Sequence, residues 1–134
     1  MTGPDVVRLA ALGVGGLQVL ANAALLVRGP LRVRAELAAG ALSERFADLL
    51  TVAWVYGTIA NLCVSALLLV IATPLRQGNS VAWRVALVAA IYYMTVGVAT
   101  FLLGVRRHGG LLALSVLGAA LFIALWAARA SYVR

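Results

Sequence analysis

Eight side chains set inside otherwise apolar runs carry most of the chemistry this sequence offers: Gln18, Asn22, Trp54, Thr58, Asn61, Ser65, Tyr93 and Thr100. Amides, hydroxyls, a phenol and an indole exchange hydrogen bonds without carrying charge at neutral pH. Such a set can line a polar interior or a pathway, or it can tie helices to one another. Their spacing is regular. Arg8, Gly15, Gln18 and Asn22 share one helical face, and Thr51, Trp54, Thr58, Asn61 and Ser65 follow a heptad-like seam. Tyr93, Gly97, Thr100 and Gly104 do much the same. Counted from the ends of their apolar runs, Gln18, Asn61 and Tyr93 fall at a similar, central depth. Polar groups in hydrocarbon cost free energy unless paired, so their placement is informative. Interhelical hydrogen bonding among small and polar residues is the plainer use, and a shared ligand pocket or pathway the more specific one.

Ionisable residues are few. Asp48 lies near the start of its run, where Arg45, Arg106 or Arg107 can neutralise it in an ion pair at the membrane interface. Arg84, about one turn into another run, is expected to extend its guanidinium to the head groups. His108 has no second histidine nearby, so no metal site is expected. The single Cys63 reads as a small apolar residue, unable to form an intramolecular disulfide. The sequence carries no nucleophilic triad, paired catalytic carboxylates or phosphate-binding glycine loop. Enzymatic activity is not expected, and no cofactor is implied.

The elements that must position these residues follow from composition. The chain has 134 residues, 64% hydrophobic and only 11% charged, with a mean hydropathy of +1.04. A soluble domain carries about a quarter charged residues, so a water-facing globule is excluded. The apolar residues form blocks long enough to cross a ~30 Å hydrocarbon core. The expected fold is all-α, a single transmembrane domain: an integral membrane four-helix bundle with antiparallel spans over about 6–27, 46–73, 81–105 and 111–130. Strands are excluded by the lack of alternation and by the cost of an open sheet edge in lipid. Pro30 is expected to stop the first span. The loop over 28–45 is expected to lie partly in the interface, with Leu31, Ala35, Ala38 and Leu42 opposite Arg32, Arg34 and Glu36, although Gly40 interrupts it. Ser43 is a candidate N-cap for the second span, which Thr73-Pro74 closes, and Asn79 or Ser80 for the third.

The first block has some features of a signal peptide, including Ala21-Asn22-Ala23. Asp5 weakens its positive start and the apolar run continues through Val27, so it reads as a true span. The length is that of the four-span small multidrug-resistance exporters. Those carry an acid in the first helix, whereas GVGGLQVLANA here has Gln18 and none, so membership is not inferred.

All eleven basic residues are arginine, giving a net charge of +7. Arg8, Arg76, Arg84, Arg129 and Arg134 fall on the side expected to hold both termini. Arg28, Arg32, Arg34, Arg45, Arg106 and Arg107 fall on the other. The bias leans toward termini outside the cytoplasm. Trp83, Trp126 and Tyr132 on the terminal side are expected to form an aromatic belt. Because the arginines sit between apolar blocks, they suit anionic head groups and not nucleic acid.

The leading expectation is a small non-catalytic membrane protein, an accessory or scaffold subunit that forms a homo-oligomer or joins a larger membrane complex. It would be a multi-pass protein of a bacterial-type inner or plasma membrane. A small oligomeric transporter or channel for a neutral or cationic solute is the alternative. A protein that binds lipid or quinone near Trp54 and Tyr93 is a third.

Overall fold

The computed structural model of the chain describes residues 2–102 and 109–133, the side chains of 100–101 and 109–112 excepted. Within them are α1 (Gly3–Ala38), α2 (Glu44–Arg76), α3 (Ser80–Leu102) and α4 (Gly109–Ala127), then a 3-10 turn over Arg129–Ser131. No strand occurs among the described residues. The helices α1 and α2, and α3 over Ser80–Ala99, are long and apolar enough to cross a membrane. The apolar segment Ala113–Ala127 within α4 is shorter.

The ends of the first two helices correct the sequence expectation. Helix α1 does not stop at Pro30 but runs on to Ala38, so most of the expected loop over 28–45 is helical. A proline inside a helix leaves the carbonyl four residues earlier without its donor and crowds it. Two features brace this turn. Gly29 has no Cβ to clash with the proline ring. The Trp54 indole donates to the Leu25 carbonyl at 3.0 Å, beside the Leu26 carbonyl that Pro30 deprives. An Arg32–Glu36 ion pair at 3.1 Å, one turn apart, supports the continuation. Similarly, α2 passes Pro74 and ends at Arg76.

Both helices end in the same way. Gly40 (φ 71°) and Gly78 (φ 75°) take the left-handed conformation that closes a Schellman motif. The Ala41 amide reaches the Glu36 carbonyl at 3.0 Å, and the Asn79 amide reaches the Pro74 carbonyl at 3.1 Å. Thus Gly40 terminates a helix instead of interrupting an interfacial segment. Asn79 is the N-cap of α3, its Oδ1 accepting from the Val81 and Ala82 amides at 2.9 and 3.0 Å. At the head of α1, Thr2 and Asp5 form one half of a capping box: the Asp5 carboxylate accepts from the Thr2 amide (3.1 Å) and hydroxyl (2.7 Å).

The chain divides into two compact units, one of Met1–Gly15 with Leu67–Arg134, the other Gly16–Ala66. In the first unit, α3 and α4 pack as an antiparallel pair. Trp83 Nε1 donates to the Leu125 carbonyl (3.0 Å), and further along Ser115 donates to the Met94 carbonyl (3.3 Å), so one index falls as the other rises. The helices meet through Ala86, Ala89 and Ala90 on α3 and Leu114, Leu121 and Leu125 on α4, all buried. Gly118 sets their separation. A Cβ there would stand 2.8 Å from the Ala90 carbonyl oxygen and 2.8 Å from the Met94 amide nitrogen, both backbone atoms. Val7, Ala11 and Val14 of α1 and Leu68, Ala72 and Leu75 of α2 complete this unit's core.

The second unit is a helical hairpin closed by the five residues 39–43. Its two arms are held by the indole of Trp54, which lies against Gly29 so closely that a Cβ at residue 29 would collide with the ring.

Candidate functional site

Polar side chains with apolar neighbours must find partners, and in the second unit they find them largely along their own helix. Gln18 and Asn22 are both buried, one turn apart on α1. Asn22 Nδ2 donates to the Gln18 carbonyl at 2.7 Å and to Gln18 Oε1 at 3.1 Å. On α2, the buried Thr58 hydroxyl donates to the Trp54 carbonyl (2.8 Å), and the buried Ser65 hydroxyl donates to the Asn61 carbonyl (2.6 Å). This back-bonding to the carbonyl four residues earlier lets a hydroxyl sit in apolar surroundings without a second helix. Asn61 and Trp54 are half-buried. Among the described residues, no buried side-chain nitrogen or oxygen lacks a partner.

Tyr93 belongs to the first unit. It is fully buried, edge-on to Tyr92 at 5.6 Å between ring centroids. Thr100 lies on α3, its side chain outside the described residues, as are Gly104, Arg106, Arg107 and His108. Asp48 and Arg45 are both exposed in the first turns of α2, and no ion pair joins them among the described residues. No cluster of metal-ligating side chains occurs among the described residues.

The densest polar construction stands at one end of the first unit, where the turn between α2 and α3 meets both ends of the chain. The Tyr132 hydroxyl donates to the Leu75 carbonyl at 2.8 Å, and its ring stacks on Trp83 at 6.4 Å. The Tyr132 phenol titrates above its usual value because burial disfavours the phenolate. At the head of α1, Asp5 pairs with Arg76 at 3.3 Å. The Asp5 carboxyl is held below the usual carboxylate range, chiefly by the Thr2 side-chain hydrogen bond, then by the Thr2 backbone bond, with Arg76 adding to them. Gly3 is pressed against α4, where an added Cβ would lie 3.2 Å from that of Ala128. Hence both termini and the turn near Arg76 share one end of this unit, as the sequence implied.

The aromatic belt is corrected in part. Trp83 and Tyr132 are buried and fasten α3, α4 and the end of α2. Trp126 remains outward, stacked on Phe122 at 6.0 Å, with the Arg129 guanidinium 4.7 Å from its ring centroid. Three features of this scaffold escaped the sequence reading. Thr2-x-x-Asp5 was legible as a capping box. Gly29 falls in the loop expected over 28–45 and Gly118 inside the fourth apolar run, and neither position signals its constraint in the sequence, since what forbids a side chain there is supplied by a distant residue. No protein-family model matches the chain, and no match is found among curated proteins or solved structures.

Proposed function

We propose that this is a small non-catalytic integral membrane protein that acts by packing laterally, as an accessory or scaffold subunit, against copies of itself or a larger membrane complex. The observation that carries the reading is the outward surface. Leu20, Val70, Val88 and Ile123 are 71, 73, 68 and 66% exposed, and only 22–33% of each long apolar window is buried within the chain. So large a share of exposed apolar side chains on each unit is unfavourable in water, whereas lipid and a second helix accept it. Among the described residues, every buried side-chain nitrogen and oxygen meanwhile has a partner within the chain, as a segment in hydrocarbon requires.

Four spans are consistent with the helix lengths. At ~1.5 Å per residue, the 19 residues of α4 reach ~29 Å, close to a ~30 Å core. The 36 and 33 residues of α1 and α2 exceed it, so part of each would stand clear of the hydrocarbon. Lateral packing is supported by Gly13, Gly16 and Gly57, around which an added Cβ would meet nothing within 4 Å. Small residues on outward faces let another helix approach closely.

The test is self-association in liposomes, read by photobleaching steps of a single-site label over a range of protein-to-lipid ratios. Multi-step bleaching that persists on dilution is expected, and should weaken with Gly57→Leu. A chain that bleaches in one step at every density, and co-purifies with nothing in mild detergent, would defeat the proposal.

A further inference from the structure

The end of the first unit that gathers Leu75, Trp83 and Tyr132 also holds an open depression of about 380 Å³, lined by Gln77, Gly78, Ser80, Ser131 and Tyr132. The Tyr132 hydroxyl is committed to Leu75, so its ring serves as a wall. Gln77, Ser80 and Ser131 are exposed, and their side chains make no hydrogen bond among the described residues. They offer an amide and two hydroxyls to whatever sits there.

Arginines flank this lining along the chain. Arg76 precedes Gln77, Arg129 opens the turn that contains Ser131, and Arg84 lies four residues after Ser80, on the same face of α3. Helical side chains lean toward the helix N-terminus, so Arg84 leans back over the turn that begins at Ser80. Arg84 is exposed. Of these three, Arg129 lies over the Trp126 ring and Arg76 pairs with Asp5, which leaves Arg84 as the arginine near Ser80 with no carboxylate partner among the described residues. Below them, the outward faces of α3 and α4 are apolar, through Val81 and Val88 on one and Val116 and Ile123 on the other.

We infer that the depression seats the phosphate-bearing head group of an anionic phospholipid, whose acyl chains follow the apolar faces of α3 and α4. Gln77, Ser80 and Ser131 donate to its oxygens, and Arg84 supplies the unneutralised charge. This rests on the membrane reading above. A guanidinium suits phosphate because its planar fork donates two parallel hydrogen bonds. The adjoining apolar faces favour a lipid over a soluble phosphate.

The experiment is native mass spectrometry of the detergent-purified full chain after exchange into equimolar phosphatidylglycerol and phosphatidylcholine. Retention of phosphatidylglycerol is expected to exceed that of phosphatidylcholine about fivefold, the discrimination one arginine near an anionic surface supplies. The variant Arg84→Gln with Ser80→Ala should bring the ratio close to one, and Arg34→Gln should leave it unchanged. Equal retention of both lipids by the wild type, or equal loss in Arg34→Gln, overturns the site. Displacement of the lipid by millimolar glycerol phosphate overturns it too, in favour of a soluble phosphate ligand. Flotation with liposomes separates the two levels. A chain that floats but shows no lipid preference removes only this site, whereas one that stays in the aqueous fraction removes the membrane reading as well.

Discussion

The N–H edge of the Trp54 indole lies against the backbone at Gly29, and its N–H is bonded to the Leu25 carbonyl one turn earlier. Nothing larger than hydrogen fits at position 29, and the bond lies in the turn disturbed by Pro30. Gly29→Ala should therefore destabilise the hairpin by about 1–3 kcal/mol, the range for forcing an extra carbon into a filled space. The loss should largely vanish when Trp54 is replaced by Ala, because the collision then has no second party. Denaturant unfolding in mixed micelles measures both. Equal costs of Gly29→Ala in the two backgrounds would show that the glycine serves some other purpose.

Gly118 and Gly13 make a matched pair with opposite outcomes. A side chain at 118 meets the Ala90 and Met94 backbone, which cannot rotate away, so Gly118→Ala should cost about 1–3 kcal/mol as α3 and α4 part. A side chain at 13 meets nothing within 4 Å. Gly13→Ala should be neutral or should stabilise the chain by roughly 0.5–1 kcal/mol through helix propensity. A tolerated Gly118→Ala, in the same unfolding assay, would contradict the close approach of the two helices.

What the sequence made legible was set by patterns that act locally. Long apolar runs, the Asn79 cap and the meeting of both termini with the Arg76 turn follow from period, cap chemistry and an even number of helices. Helix α1 runs past Pro30 against the sequence expectation because proline's missing donor is a local property, while the Trp54 indole that braces this turn through the Leu25 carbonyl arrives from α2. Trp83 was assigned to an outer belt because an aromatic near a helix end suits one. Its burial depends on Tyr132, which lies 49 positions away in the chain and stacks on it. The heptad-like seam of Thr58, Asn61 and Ser65 was real as a pattern, yet the hydroxyls of Thr58 and Ser65 bond along α2 itself.

Tyr132 should anchor the C-terminal turn through its hydroxyl. Tyr132→Phe removes one of the two donors to the Leu75 carbonyl, the Gly78 amide remaining at 3.1 Å, and should cost about 0.5–1.5 kcal/mol. Tyr56→Phe, at a residue 71% exposed, should change little. The pH dependence follows from the raised phenol. The neutral form is the one favoured in the fold, so its contribution is complete below the unfolded value near 10 and is lost as pH rises through the higher folded value. Wild-type stability should hold to about pH 10 and fall beyond it, and Tyr132→Phe should remove that part of the fall.

Asp5 responds at the other end of the scale. Its folded carboxyl titrates below the ordinary 3.8, so the stability it contributes is present above that value and is lost as pH falls through the folded one. Thermal unfolding between pH 5 and pH 2 should show a loss confined to the acid end of that window, and Asp5→Asn should flatten it. Thr2→Ala should mimic Asp5→Asn more closely than Arg76→Gln does, since the Thr2 hydroxyl is the larger cause of the depressed value. If Arg76→Gln abolishes the acid response and Thr2→Ala does not, the ion pair, and not the capping box, governs this end.

The buried amides separate lateral packing from solute passage. Asn22 donates twice to Gln18, and both lie on one helix, so each satisfies a group the other would otherwise strand. Asn22→Leu or Gln18→Leu alone should destabilise, while the double replacement recovers part of the loss. The expected coupling is ~0.6–2 kcal/mol, as for polar contacts between apolar segments. Asn61→Asp should be worse than any of these, since a charge near the middle of a span costs at least ~2.5 kcal/mol on insertion scales. The packing reading expects liposomes containing the wild type to pass neutral and cationic solutes no faster than empty ones. A flux abolished by Gln18→Leu and Asn61→Leu, with unfolding unchanged, would instead make these amides the lining of a pathway.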